Sequence, residues 1–388
     1  MIEQGGPQMP RRTFGPAVMA TRLAVRKCLT AYLRGSRANT GAAAEASPLV
    51  LVALSGGADS LALAFALAHE APRSGVRSGA IIIDHGLQPG SAEVAEAAAA
   101  QARQLGLTPV IVERVHVDGE SDRGGPEAAA RSARYEAFTN AATATGARAI
   151  LTAHTHDDQA EQVLLGIARG SGLRSIAGIP ARRTLGDEPA AGVMLRPFLA
   201  PDGETGAPAI TRATTEAACA DYEASFWRDP HNSDPTYARV RVRERVLPML
   251  EAELGPGVAD ALVRTAALAR EDADALDDMA TEVAQGLLRG RVAEETISVR
   301  PGNLVPGVEG LSIDVSELAG LARPVLYRVI RVLAQLRFGT YLERVHTLAI
   351  AELVTHWRGQ AAVYVPDISV TRRAGWLSFE RQVGSPRG

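Results

Sequence analysis

Short apolar runs alternate with amphipathic stretches through the first half of the chain. Residues 49–54, Leu-Val-Leu-Val-Ala-Leu, are unbroken in their apolar character. That is the pattern of a strand buried on both faces. Similar runs recur at 80–84, 109–115 and 149–153. Each of the four is followed by a stretch of helical character, at 61–69, 91–105, 126–144 and 156–168. The rhythm predicts an α/β fold, a parallel sheet covered by helices on both faces. Ligands of such sheets bind beyond the carboxyl ends of the strands. Chemistry is therefore expected where the chain leaves each run.

The pattern elsewhere is less regular. Residues 1–15 are polar and rich in Gly and Pro, and read as a tail. Val18, Leu23, Val25, Leu29 and Leu33 predict an amphipathic helix over 17–34. Residues 35–47 read as a linker, and 184–210 as two loops around a short strand at 193–199. Helices are expected from 236 to 288 and over 320–350. Strands are expected within 361–380, with 362–365 the clearest. The domains drawn from this are 1–47 (tail, helix and linker), 48–235 (a nucleotide-binding α/β domain) and 236–388 (mainly helical and mixed).

Composition narrows the chemistry. The chain has 388 residues, too many for one average core. A net charge of −3 means that any basic surface is local. Lys27 is the only lysine and is followed by Cys28. A Walker A loop requires Gly-Lys-Ser or Gly-Lys-Thr, so that class is excluded. Schiff-base and kinase chemistry lose their lysine too. Cys28 and Cys219 form no CxxC pair and no metal-ligand cluster. No run suits a signal sequence or a membrane span, so a cytoplasmic protein is expected.

The strongest motif leaves the first apolar run: Ser55, Gly56, Gly57, Ala58, Asp59 and Ser60. A strand entering a helix through two glycines turns backbone N–H groups into one concavity. With the helix N-terminus behind it, that concavity takes anions. Ser55 and Ser60 add hydroxyls. Asp59 would repel phosphate directly, but it suits a Mg²⁺ ion that bridges phosphate oxygens. A glycine turn with an Asp cap is the plainer alternative. The hexapeptide resembles the signature of the PP-loop, or N-type, ATP pyrophosphatases. These cleave ATP between the α and β phosphates and adenylate a carbonyl or carboxyl oxygen.

Further stretches sharpen the resemblance. Asp84, His85, Gly86 and Leu87 close the second run. Arg131, Arg134 and Tyr135 are spaced to share one helix face. His154, Thr155, His156, Asp157, Asp158 and Glu161 crowd a strand end and helix start, more than N-capping requires. Arg169, Gly170, Ser171, Gly172 and Leu173 come next, a helix end opening into a loop. Trp227 to Asn232 runs on to Arg239, Arg241, Arg243 and Arg245. As a helix, that last segment points Val242, Val246 and Met249 inward. Its arginines fall in two short rows, either a solvated face or a phosphate-neutralising surface.

Together, over residues 48–250, these stretches resemble the tRNA(Ile)-lysidine synthetases. That family usually has two adjacent histidines near 154, where Thr155 stands second here; His154 is the positional match. It usually has Asn where Val240 stands. A charged insertion at about 200–208 separates Arg196 and Pro197 from the next helix. The resemblance implies ATP and Mg²⁺ as cofactors, and free L-lysine and an isoleucine tRNA with a CAU anticodon as substrates. It implies ATP binding by residues 55–60 with Asp84 and His85. Asp59, His154 and Asp158 would be catalytic, with Asp59 and Asp158 on the metal. Arg131, Arg134, Tyr135, Asp157, Glu161, Arg196, Arg239, Arg241 and Arg243 would face tRNA or lysine. A PP-loop tRNA thiolase and a non-catalytic nucleotide-binding module remain the alternatives.

Overall fold

The structure, a computed structural model, describes residues 14–40, 47–86, 90–115, 125–170, 172–186, 192–199, 209–292 and 310–382. The tail up to residue 13, the linker at 41–46, Leu87, Ser171 and the insertion at 200–208 lie outside the described residues.

The described residues form two compact units, 1–267 and 268–388. The first unit is built on a six-stranded sheet. Its elements are α1 (Pro16–Thr40), β1 (Leu49–Ala53), α2 (Ala58–Ser74), β2 (Arg77–Asp84), α3 (Ser91–Gln104) and β3 (Val110–Arg114). There follow α4 (Gly125–Thr145), β4 (Ala149–Leu151), α5 (His156–Ala168), α6 (Leu173–Ile176), β5 (Arg182–Thr184), β6 (Val193–Leu195) and α7 (Arg212–Asp221). The strand order is β3-β2-β1-β4-β6-β5. All neighbours are parallel except β5, which runs antiparallel to β6 at the edge. The chain moves one way from β1 through β3 and the other way from β4. A crevice therefore opens at the carboxyl ends of β1 and β4.

Apolar runs predict the buried strands because both faces are covered: Val50, Leu51, Val52, Ile81 and Ile150 are fully buried. β5 escapes that logic, since Arg182, Arg183 and Thr184 are all exposed. α1 is longer than its apolar stripe predicts and is no detached segment. Val18, Val25 and Leu29 lie in the first unit's core. Arg26 on α1 donates to both oxygens of the fully buried Glu70, at 2.7 and 3.0 Å. Gly79 on β2 is required by close packing. A Cβ there would lie 2.6 Å from the Pro109 carbonyl oxygen and 2.7 Å from Leu51 Cδ2. Gly79→Ala is expected to destabilise the fold by about 1–3 kcal/mol, read as a lower urea midpoint at unchanged slope.

After α7 come α8 (Ala238–Arg241), a π-helical turn at Val242–Val246, α9 (Leu247–Leu254) and α10 (Val258–Val292). The division between the units falls within α10, later than residue 236. The expectation for Met249 is corrected here: Val242 is buried but Met249 is 51% exposed. The π turn inserts a residue and rotates the next turns out of helical phase. In the second unit β7 (Gly310–Asp314), β8 (Val363–Val365), β9 (Ile368–Arg373) and β10 (Trp376–Arg381) form an antiparallel sheet in the order β7-β10-β9-β8. Its core also takes residues of α10, α11 (Val315–Ala319), α12 (Arg323–Phe338) and α13 (Arg344–Thr355). The helix expected over 320–350 is two helices, because Gly339 adopts φ 71° and caps α12. Among the described residues, no helix is long and apolar enough to cross a membrane.

Candidate active site at the carboxyl ends of β1 and β4

The 55–60 loop is held by its own polar groups. Ser60 Oγ donates to the Gly57 carbonyl at 3.0 Å and accepts from the Ser55 amide at 3.1 Å. Ser55 Oγ lies 3.1 Å from Ser60 Oγ. Gly56 adopts φ +83°, which an L side chain would strain, and its carbonyl accepts from the Trp227 amide at 2.9 Å. Gly57 caps α2 with no side-chain hydrogen bond. The first turn of a 17-residue helix thus offers amides to an anion, as the motif predicts.

α7 faces this loop and supplies two residues that sequence reasoning missed, Arg212 and Thr215. Thr211 caps α7 through a capping box with Thr214, which sets Arg212 in the first turn. The Thr215 hydroxyl contacts both Asp59 Oδ1 and, at 2.8 Å, the Arg212 carbonyl. One hydroxyl proton serves one acceptor at a time. When it goes to the carbonyl, the contact with Asp59 needs a proton from Asp59. Burial pushes the Asp59 carboxyl up to about 6, with Asp158 and Asp157 adding repulsion against the Thr215 and Arg212 contacts that lower it.

α5 carries the acidic side of the crevice. Thr155 accepts from the Asp158 amide, and Asp158 Oδ2 accepts from the Thr155 amide at 2.8 Å, closing a capping box. The Arg212 guanidinium reaches three carboxylates. Nη2 lies 3.0 Å from Asp158 Oδ1, Nη1 3.4 Å from Glu161 Oε1 and Nε 3.9 Å from Asp59 Oδ2. Its amide donates to Asp157 Oδ2 at 2.8 Å. Burial works to raise Asp158, but Arg212 and the other positive and hydrogen-bonding neighbours hold it below the usual range.

Glu161 is fully buried and is shared by three arginines. Besides Arg212, Arg243 donates to it at 2.8 and 3.3 Å, and Arg239 Nε lies 3.8 Å away. Arg239 also donates to Gln162 at 2.7 Å. Arg241 donates to the carbonyls of Pro235 and Thr236 at 2.8 and 2.7 Å. The two basic rows are therefore not a bare phosphate-binding surface. Arg239 and Arg243 organise the acidic crevice, and Arg241 fastens its own loop.

A second, basic cluster lies toward β6 and α4. Arg196 is 2% exposed, and among the described residues its hydrogen bonds go to no carboxylate. Burial pushes it down to about 10. It donates to the Pro180 carbonyl at 2.5 Å and to His154 Nδ1 at 3.3 Å. A guanidinium only donates, so Nδ1 accepts and neutral His154 carries its proton on Nε2. Burial, then Arg196, pushes His154 down to about 3. His154 is thus a hydrogen-bond donor through Nε2 and a poor base. His156 turns away to Asp260, at 3.1 Å.

Tyr135 sits among arginines. Arg131 donates to its hydroxyl at 3.0 Å, and Arg131 and Arg183 lie 5.2 and 4.5 Å from its ring centroid. Arg183 on the unpredicted edge strand is a further residue that sequence reasoning missed. Arg134 Nη2 lies 3.2 Å from His85 Nε2, so the neutral ring carries its proton on Nδ1. That Nδ1 is buried and has no hydrogen-bond partner among the described residues. Burial, then Arg134, pushes His85 down to about 4. Asp84 is held ionised by the Ser91 hydroxyl, the Gly86 amide and Arg114, against burial.

Among the described residues, no three His, Cys, Asp or Glu side chains are grouped to hold a metal by themselves. Two carboxylates beside an anion-binding loop suit a Mg²⁺ that arrives on nucleotide phosphates, since Mg²⁺ is commonly held by one or two carboxylates plus phosphate oxygens. Asp59 and Asp158 fit that requirement.

A PP-loop domain is recognised over residues 35–250. The chain is 52% identical to the tRNA(Ile)-lysidine synthase of Leifsonia xyli over 85% of this chain and 89% of that one. It is 47% identical to that of Salinispora arenicola, over 94% and 97% of the two chains. It is 45% identical to that of Thermobifida fusca, over 92% and 95%. Among solved structures, the U34-tRNA thiolase NcsA of Methanococcus maripaludis superposes with a TM-score of 0.47 at 18% identity, over 64% of this chain and 78% of that chain. With this identity spanning nearly the whole chain and the phosphate loop at the switch point of the sheet, the chain belongs to the tRNA(Ile)-lysidine synthase family of PP-loop proteins.

Proposed function

We propose that this protein joins free L-lysine to C2 of the wobble cytidine of an isoleucine tRNA with a CAU anticodon, consuming ATP. The observation that carries this reading is the pairing of an open phosphate loop with a carboxylate-rich crevice at one switch point, in a chain 52% identical to a lysidine synthase.

The reaction needs two steps. Cytidine O2 bonds to the α-phosphorus of ATP and pyrophosphate leaves. The lysine side-chain amine then bonds to C2, AMP leaves with the former O2, and the amine gives up a proton. The 55–60 amides and hydroxyls bind phosphate. Asp59 and Asp158 would hold Mg²⁺, which when bound neutralises phosphate charge. The buried Nδ1–H of His85, without a hydrogen-bond partner among the described residues, is a candidate donor to the nucleotide. Asp157 is the carboxylate offered to the ammonium groups of lysine, while Glu161, held by Arg239 and Arg243, anchors the crevice wall beside it. His154 donates through Nε2–H. Arg131, Arg134 and Arg196 gather round Tyr135, whose ring suits stacking of an unpaired base.

A thiolase reading is disfavoured by the cysteines. Burial pushes Cys28 and Cys219 up to about 12, and Cys219 donates to the Ala58 carbonyl. Neither is a ready thiolate. Incubation with ATP, labelled lysine and a CAU-anticodon isoleucine tRNA is expected to label the tRNA and release AMP in equal amount. Release of AMP with no labelled tRNA would overturn the lysine assignment.

A further inference from the structure

We infer that Arg212 is an exchangeable counter-ion that keeps free cations out of the carboxylate crevice until a nucleotide draws it away. The inference rests on the nucleotide reading above and adds an order of binding to it.

Arg212 stands where a cation belongs. Its guanidinium is within 4 Å of Asp59, Asp158 and Glu161, which themselves face the phosphate loop and the acidic pocket. Its three contacts are unequal. Glu161 has two other arginines, so losing Arg212 leaves it compensated. Asp59 is met only at 3.9 Å and is already poorly compensated. Asp158 is the one carboxylate that leans on Arg212 closely, at 3.0 Å. It also keeps its capping bonds to Thr155 when Arg212 moves. The crevice is thus built to survive the departure of this side chain. The backbone of Arg212 does not need to move with it, because Thr211 and Asp157 hold it.

Triphosphate supplies the reason to move. Guanidinium pairs with phosphate in the same bidentate way as with carboxylate, and a triphosphate brings several negative charges to one place. The α2 N-terminus is adjacent, since Thr215, one turn beyond Arg212 on α7, touches Asp59. A nucleotide in the loop therefore presents phosphate to Arg212 and leaves Asp59 and Asp158 to share a divalent ion. Without nucleotide, a divalent ion meets the like charge of Arg212 among its ligands. Like charges a few ångströms apart repel strongly even in a polar protein environment.

The test uses Mn²⁺ alone, followed by electron paramagnetic resonance on the nucleotide-free full chain. Wild-type protein is expected to bind weakly. Arg212→Gln is expected to bind one Mn²⁺ at least about tenfold more tightly, about 1.4 kcal/mol, with Arg212→Lys between. Equal or weaker binding by Arg212→Gln overturns the inference. If the variant does not fold, the wild-type complex with a non-hydrolysable ATP analogue and Mg²⁺ decides. Arg212 is expected on a phosphate oxygen, and a guanidinium still bridging Asp158 and Glu161 would overturn it. Lysine transfer is not read in either arm, so failure here stays separate from failure of the lysine assignment.

Discussion

Asp59→Asn is expected to slow AMP and pyrophosphate release by about a thousandfold or more while leaving the thermal midpoint at pH 7.5 unchanged or higher. Under the proposed reading, activity falls because an amide would not hold a divalent ion against phosphate. Stability does not fall because the ionised carboxylate is disfavoured in the folded protein. Burial and two neighbouring carboxylates raise Asp59 to about 6, above the ordinary 3.8. The native state therefore keeps this proton to higher pH than the unfolded chain does. Stability from neutral Asp59 is full below about pH 4 and is lost as pH rises through about 6. The whole shift corresponds to about 1–3 kcal/mol at neutral pH, allowing for solvent around a partly exposed side chain. Asparagine removes that cost and can still hydrogen-bond Thr215. Melting wild type and variant from pH 4 to pH 8 checks both halves. A variant that melts well below wild type at pH 7.5 would contradict the assignment of strain to Asp59.

Glu161→Gln is expected to cost stability as well as function, lowering stability by about 3–5 kcal/mol and abolishing lysine transfer. Glutamine keeps the shape and removes the charge. Arg212, Arg239 and Arg243 then share a fully buried site with less compensation. A loss of that size is a large part of the stability of a typical domain. For a chain of this length it lowers the midpoint by about 10 °C. The loss is expected to resist added salt, because buried pairs are screened little. Calorimetry of the two proteins at low and high ionic strength measures it. An unchanged midpoint would mean that the arginines find other partners.

Several residues that the structure gathers at this crevice were legible in the sequence. Residues 55–60 stood out because a buried strand, two glycines and a helix start are adjacent in sequence, and the phosphate loop needs nothing else. Asp158 and Glu161 stood out through local crowding. Arg131 and Tyr135 stood out through helical spacing, and they do touch. Arg212, Thr215 and Arg183 did not. Arg212 reaches Glu161, 51 residues before it. No local pattern marks such a pairing. Position was the available signal, since Arg212 opens the helix after the last parallel strand, on the ligand side of the sheet.

Hydrophobic order along the chain is sufficient for the first four strand–helix units: β1, β2 and β4 carry apolar runs because both faces are covered, and the half-exposed edge strand β3 still carries one. It also places the phosphate loop, and the missing Walker lysine rules out the commonest alternative. The role of each charged residue is decided by tertiary structure alone. Arg239 and Arg243 look like a surface for RNA in sequence, yet packing turns them onto Glu161. His154 stands in the sequence as a catalytic candidate of open role, yet Arg196 donates to its Nδ1 and burial keeps the ring neutral. Asp59 looks like an ordinary acid, yet burial moves it toward neutral pH. Charge is written in the sequence, but its partners and its solvent are set by segments distant along the chain, and these determine its chemistry.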